Sequence, residues 1–117
     1  MTAKETAQRI IELAQEKKGR QIVLMDMEKL SSFVQYFVII SGDSSLHIKA
    51  IADHIVDGMK EHRIRPYGKE GYEFLHWVLL DYIDVVVHIF DNETREFYAI
   101  ERLWADAKME FITDEES

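Results

Sequence analysis

The chain has 117 residues, 47% of them hydrophobic and 31% charged, which suits one ordinary globular domain able to bury a core without staples. It has no cysteine, which excludes disulfides, thiolate metal sites and thiol redox chemistry and fits a reducing compartment. Fourteen basic against 22 acidic side chains give a net charge of -8, a field that disfavours a nucleic-acid backbone as partner.

At the N-terminus, Thr2 and Glu5 have the spacing of a capping box, and Ala7, Ile10, Ile11 and Ala14 recur on one helical face. Lys17 and Lys18 suit the negative end of that helix, and Gly19 is placed to close it in the left-handed conformation. The opening residues carry neither a secretory nor a transit pattern, and the apolar runs are too short to span a bilayer, so a soluble cytoplasmic protein is expected.

Ile22, Val23, Leu24 and Met25 form an apolar run without helical period, as do Phe37, Val38, Ile39 and Ile40 behind Tyr36; both predict strands buried on two faces. Residues 28–35 connect them. Ser41, Gly42, Asp43, Ser44 and Ser45 then supply N-cap side chains for a second helix, whose apolar face is Ile48, Ile51, Ala52, Ile55, Val56 and Met59. An extended segment follows around Pro66. Residues 77–80 and 85–90 have the spacing of an antiparallel hairpin, and Phe97, Ile100, Leu103, Trp104 and Ala107 place a third helical face in the 92–108 segment. The whole predicts one α/β domain over residues 1–112, with a mixed sheet of about five strands flanked by helices, and an acidic tail at 113–117.

The most enzyme-like feature is the 41–45 loop between a strand and a helix, since free N–H groups at such a junction can hold a phosphate. Helix capping calls for the same residue types and is the better-supported explanation. Metal-assisted phosphoryl transfer would need two carboxylates at alternating positions of a neighbouring strand, and residues 85–90 contain none. The five histidines lack the helical pair with glutamate typical of zinc proteases, and no Gly-x-Ser-x-Gly elbow or phosphate-binding fingerprint occurs. No catalytic residue, cofactor or metal is therefore expected.

Aromatics are more suggestive. Trp77, Tyr82, Phe90, Phe97, Tyr98 and Trp104 crowd the last third of the chain beside Arg95 and Arg102, and such residues are favoured at interface hot spots. Strand alternation puts Trp77 and Leu79 on one face of the hairpin and Val78 and Leu80 on the other, so both faces are apolar and both need a cover.

The run from Trp77 to Tyr82, the segment from Asp84 to Phe90, and Arg95, Phe97, Tyr98, Glu101, Arg102, Leu103 and Trp104 together resemble the ribosomal silencing factor (RsfS/Iojap) family. The likeness extends upstream through Tyr36-Phe37-Val38-Ile39, Ser41-Gly42 and the stretch from Lys49 to Asp53, in one register. It implies a nucleotidyltransferase-like fold without catalytic acids. It also implies a protein that binds the fourteenth protein of the large ribosomal subunit and sterically blocks small-subunit joining under nutrient limitation, with a homodimer when free and little direct RNA contact. Carried onto matching positions, the partner-binding set is Trp77, Leu80, Asp81 and Tyr82, with Tyr36 and His88 beside them; Asp81 has capping the turn as its alternative role. The alternative reading is a nucleotide-binding enzyme using the 41–45 loop. The chain departs from the family where Ile83 replaces a turn glycine and Gln35 an aspartate, and a β-branched residue at 83 predicts a strained or altered turn.

Overall fold

The computed structural model describes residues 1–113; of the acidic tail expected at 113–117, residues 114–117 lie outside the described residues. Helix α1 (Ala3–Glu16) starts at the expected capping box, where the Thr2 side chain accepts from the Glu5 N–H and the Glu5 carboxylate accepts from the Thr2 N–H. It ends in a Schellman motif, with the Gly19 N–H on the Ala14 carbonyl and the Lys18 N–H on that of Gln15. The left-handed residue is Lys18 (φ 60°) rather than Gly19. Gly19 is needed for closeness instead, because a Cβ there would press on Ile40 and Ala14.

Strands β1 (Arg20–Asp26) and β2 (Tyr36–Ser41) pair antiparallel, and α2 (Ser45–Lys60) follows with Ser44 as its N-cap, its side chain accepting from the His47 N–H. Short β3 (Gly68–Glu70), β4 (Trp77–Asp81) and β5 (Val85–Phe90) come next, and β5 lies parallel to β2. Two short helices, α3 (Asn92–Tyr98) and α4 (Ile100–Leu103), lead to β6 (Lys108–Phe111). Among the described residues the mixed sheet therefore has six strands in the order β3-β4-β5-β2-β1-β6.

Three expectations are corrected here. The sheet gains β6 at its edge, because four residues after α4 pair with β1. The extended segment near Pro66 becomes a strand only from Gly68. The single helix expected over 92–108 is broken at Ala99, which takes φ 46° and ψ 53° so that α4 can turn Ile100 onto the sheet.

The two faces of the sheet differ in cover. On one, Ile22, Leu24, Val38, Ile40, Val78, Leu80, Val87 and Ile89 pack under α1 and α2 in the main core. Burying each such aliphatic side chain stabilises the fold by roughly 1.5–3 kcal/mol, so this layer holds the domain together. The other face has a smaller core of Val23, Met25, Met27, Ile39, Phe90 and Ile100, under only α3, α4 and the 27–35 loop. Leu30, Phe37, Trp77, Trp104 and Met109 border it half-buried.

Candidate protein-docking face

The thinly covered face is where the chain can present apolar surface without unfolding. Along β4 the side chains alternate, Val78 and Leu80 fully buried, Trp77 and Leu79 half-exposed. Leu79 stands opposite His88 and Trp77 opposite Phe90 in the β4–β5 ladder. Leu79 packs into neither core, which leaves its side chain available to a partner.

Trp77 is held from several sides. Its ring lies 4.8 Å from Phe90 and 4.8 Å from Tyr98, centroid to centroid. Its backbone is fixed by Gly71, whose φ of 89° only glycine adopts freely and where a Cβ would run into the Trp77 carbonyl oxygen. Its indole N–H donates to Nδ1 of His88 at 3.1 Å. Because an indole N–H can only donate, Nδ1 of His88 is the acceptor and the neutral ring carries its proton on Nε2. Burial pushes His88 down to about pKa 4, so the ring stays neutral at physiological pH. The Phe37 ring stands edge-on to it at 4.7 Å. Among the described residues Nε2 has no hydrogen-bond partner.

At the far end of the hairpin, one Asp81 carboxylate oxygen accepts from the Ile83 N–H at 2.7 Å. The Asp84 N–H bonds the Tyr82 carbonyl across Ile83, and the Tyr82 N–H bonds the Val85 carbonyl. With Ile83 at φ 73°, this is a γ-turn of the positive-φ, strained kind. Asp81 thus caps the turn, and Ile83 stands at its tip, 59% exposed.

The six residues carried over by resemblance do not form one cluster. Trp77 and His88 share the open face and touch. Leu80 is corrected: its side chain is 0% exposed beneath the helices, so it supports the strand and offers nothing to a partner. Leu79 is the leucine on the thinly covered face, and strand alternation from Trp77 is the signal that marks it. Tyr82 and Tyr36 pack half-buried against the helix-side core, near the strand ends opposite Trp77. Burial raises the Tyr82 hydroxyl to about 12; Tyr36 is raised by burial and then by Asp26 and Glu28.

Beside the open face, Arg95 pins α3 and α4 to the sheet. Its Nε–H and Nη2–H donate to Glu101 at 3.0 and 2.6 Å, and its Nη1 donates to the Gln21 carbonyl and to Ser41 Oγ, each at 2.8 Å. Several groups of the 41–45 loop are engaged within the fold. Ser41 Oγ holds Arg95, the Gly42 N–H bonds the Phe90 carbonyl, the Asp43 N–H bonds His47 Nδ1, and Ser44 caps α2. A cavity of about 570 Å³ opens beside Arg95, but Arg95 and Arg102 on its wall are balanced by Glu96 and Glu101. It presents no net charge to a nucleotide. Among the described residues no three His, Asp or Glu side chains gather as metal ligands.

The family model described as "Ribosomal silencing factor during starvation" matches residues 1–117. The chain belongs to the ribosomal silencing factor family. The ribosomal silencing factor RsfS of Chromobacterium violaceum is 37% identical over 111 residues, covering 95% of this chain and 91% of that protein. That of Bacillus subtilis is 39% identical over 94 residues, covering 80% of each. A mouse protein named for mitochondrial assembly of the ribosomal large subunit is 33% identical over 98 residues, covering 81% of this chain and 43% of that protein. A crystal structure of a Chromobacterium violaceum protein superposes with a TM-score of 0.88 at 35% identity, covering 99% of this chain and 98% of that one. As a ribosomal silencing factor the chain is a regulatory protein of translation and not an enzyme. No helix among the described residues is long and apolar enough to cross a membrane.

Proposed function

We propose that the chain binds the large ribosomal subunit through its fourteenth protein, using the open sheet face around Trp77 and Leu79, and sterically prevents joining of the small subunit. Translation in the cytoplasm then falls when nutrients are scarce. The observation that carries this reading is the pairing of a rigidly held, half-exposed Trp77 with a half-exposed Leu79 on a face that lacks a full helical layer. A packed aromatic beside an aliphatic group, framed by polar surface, is the composition of an interface hot spot.

Charge supports the same partner. Ribosomal proteins are generally basic, and a net charge of -8 speeds their encounter with this chain. Asp81 contributes from the turn, its carboxylate held in place by the Ile83 N–H. Tyr82 and Tyr36 act from behind, fixing the strand ends. Without a ribosome, the same apolar face pairs with a second copy of the chain, and the two uses compete.

Binding to purified large subunits and to the isolated fourteenth protein, measured by cosedimentation and calorimetry in moderate salt, tests the reading. A stoichiometric complex of micromolar or tighter affinity that lowers the yield of joined ribosomes is the expected result. No binding, or binding that leaves joining unchanged, refutes it.

A further inference from the structure

We propose that the Nε2–H of His88 is a polar anchor of the docking face, and that it donates to a carbonyl oxygen of the bound protein partner. The inference rests on the docking role assigned above to the Trp77–Leu79 face. It starts from a tautomer that the structure imposes: Trp77 takes Nδ1, so the only remaining ring nitrogen is a donor. His88 is 4% exposed, and that donor has no acceptor among the described residues. A buried donor left unpaired is costly, and native folds keep few of them.

The surroundings place this group at the centre of the face. Leu79 stands directly across the ladder from His88, Phe37 is edge-on to the ring, and the Trp77 and His88 ring centroids are 5.9 Å apart. Leu79 and Phe37 are half-exposed, so a partner pressing on them can shift them and reach the imidazole. A lysine or arginine side chain carries no acceptor and cannot satisfy an N–H. The group delivered must be an oxygen, and on a basic protein the ready source is a backbone carbonyl. His88 thereby selects for partner geometry, because a partner that covers the face without presenting that oxygen seals the donor in unpaired.

The test uses the whole chain labelled with nitrogen-15 at histidine, titrated with the isolated fourteenth protein of the large subunit. In the free chain the His88 resonances should report the Nε2–H tautomer. On binding, the Nε2–H proton should move downfield, and His88→Phe, folded by circular dichroism, should bind roughly tenfold more weakly. His88→Gln, which returns an N–H near Nε2, should recover part of that loss. A complex that forms with the Nε2–H unmoved and with His88→Phe binding as tightly as the wild type overturns the inference and leaves the docking role standing. A shift that follows the concentration of the chain alone overturns it in favour of a second copy as acceptor. Failure to form any complex removes the docking role and the inference together.

Discussion

The indole N–H of Trp77 donates to Nδ1 of His88 at 3.1 Å, joining a half-buried aromatic of the open face to a buried imidazole that stays neutral at physiological pH. Burial of that imidazole gives the fold a signature in acid. The folded His88 titrates near 4, below the ordinary value of 6.5, so between those pH values the unfolded chain binds a proton that the folded chain does not. Stability is complete above about 6.5 and falls as pH drops toward 4, by about 3 kcal/mol from this group. Urea unfolding at pH 7, 5.5 and 4.5 should show that decline, and His88→Phe should flatten it. The lowered carboxyl of Asp91 withdraws its contribution only below its own unfolded value of 3.8, outside this window.

Ile83 sits at φ 73° in the hairpin turn, a region that costs a β-branched residue on the order of 1–3 kcal/mol. Ile83→Gly relieves that strain and gives back about 0.5–1 kcal/mol through the greater freedom of glycine in the unfolded chain. A net gain of about 1 kcal/mol follows, seen as a rise in Tm of about 4 °C. An unchanged or lower Tm would mean that the turn holds Ile83 without strain.

Arg95→Ala removes four hydrogen bonds and leaves Glu101, 26% exposed, without its cation. A loss of about 2 kcal/mol is expected, smaller than for a fully buried pair because water reaches Glu101. The damage should be local: faster amide exchange through α3 and α4, and a change in tryptophan emission as Tyr98 leaves Trp77. Uniformly faster exchange across α1 and α2 would contradict this division of the fold.

Both long helices and the four central strands are legible in the sequence because their signals are local. A capping box and a three-four apolar period announce α1, and continuous β-branched runs announce β2 and β5. Strand β6 has no such signal. Its Lys108-Met109-Glu110-Phe111 buries only part of Met109, and it is a strand because β1 has an open edge beside it. The break at Ala99 is equally silent, with no glycine or proline to mark it. Ile100 must reach the sheet while Arg95, five residues earlier, is tied to Gln21 and Ser41, and one straight helix cannot satisfy both.

The candidate site follows the same rule. Trp77 and His88 stand out as residues, but their hydrogen bond and its consequence for the His88 proton appear only once β4 and β5 are paired. Leu79 and Leu80 are chemically identical neighbours, and only the position of the helices decides that Leu80 is core and Leu79 is surface.

That distinction supplies the most direct test. Separated subunits are mixed under joining conditions with wild type, Trp77→Ala, Leu79→Arg or Lys49→Ala, the last a substitution on the exposed side of α2, and resolved on a sucrose gradient. Wild type and Lys49→Ala should keep the subunits apart, whereas Trp77→Ala and Leu79→Arg, folded by circular dichroism, should let joined ribosomes form. Folded Leu79→Arg and Trp77→Ala variants that block joining as well as the wild type would contradict the assignment of this sheet face as the docking surface.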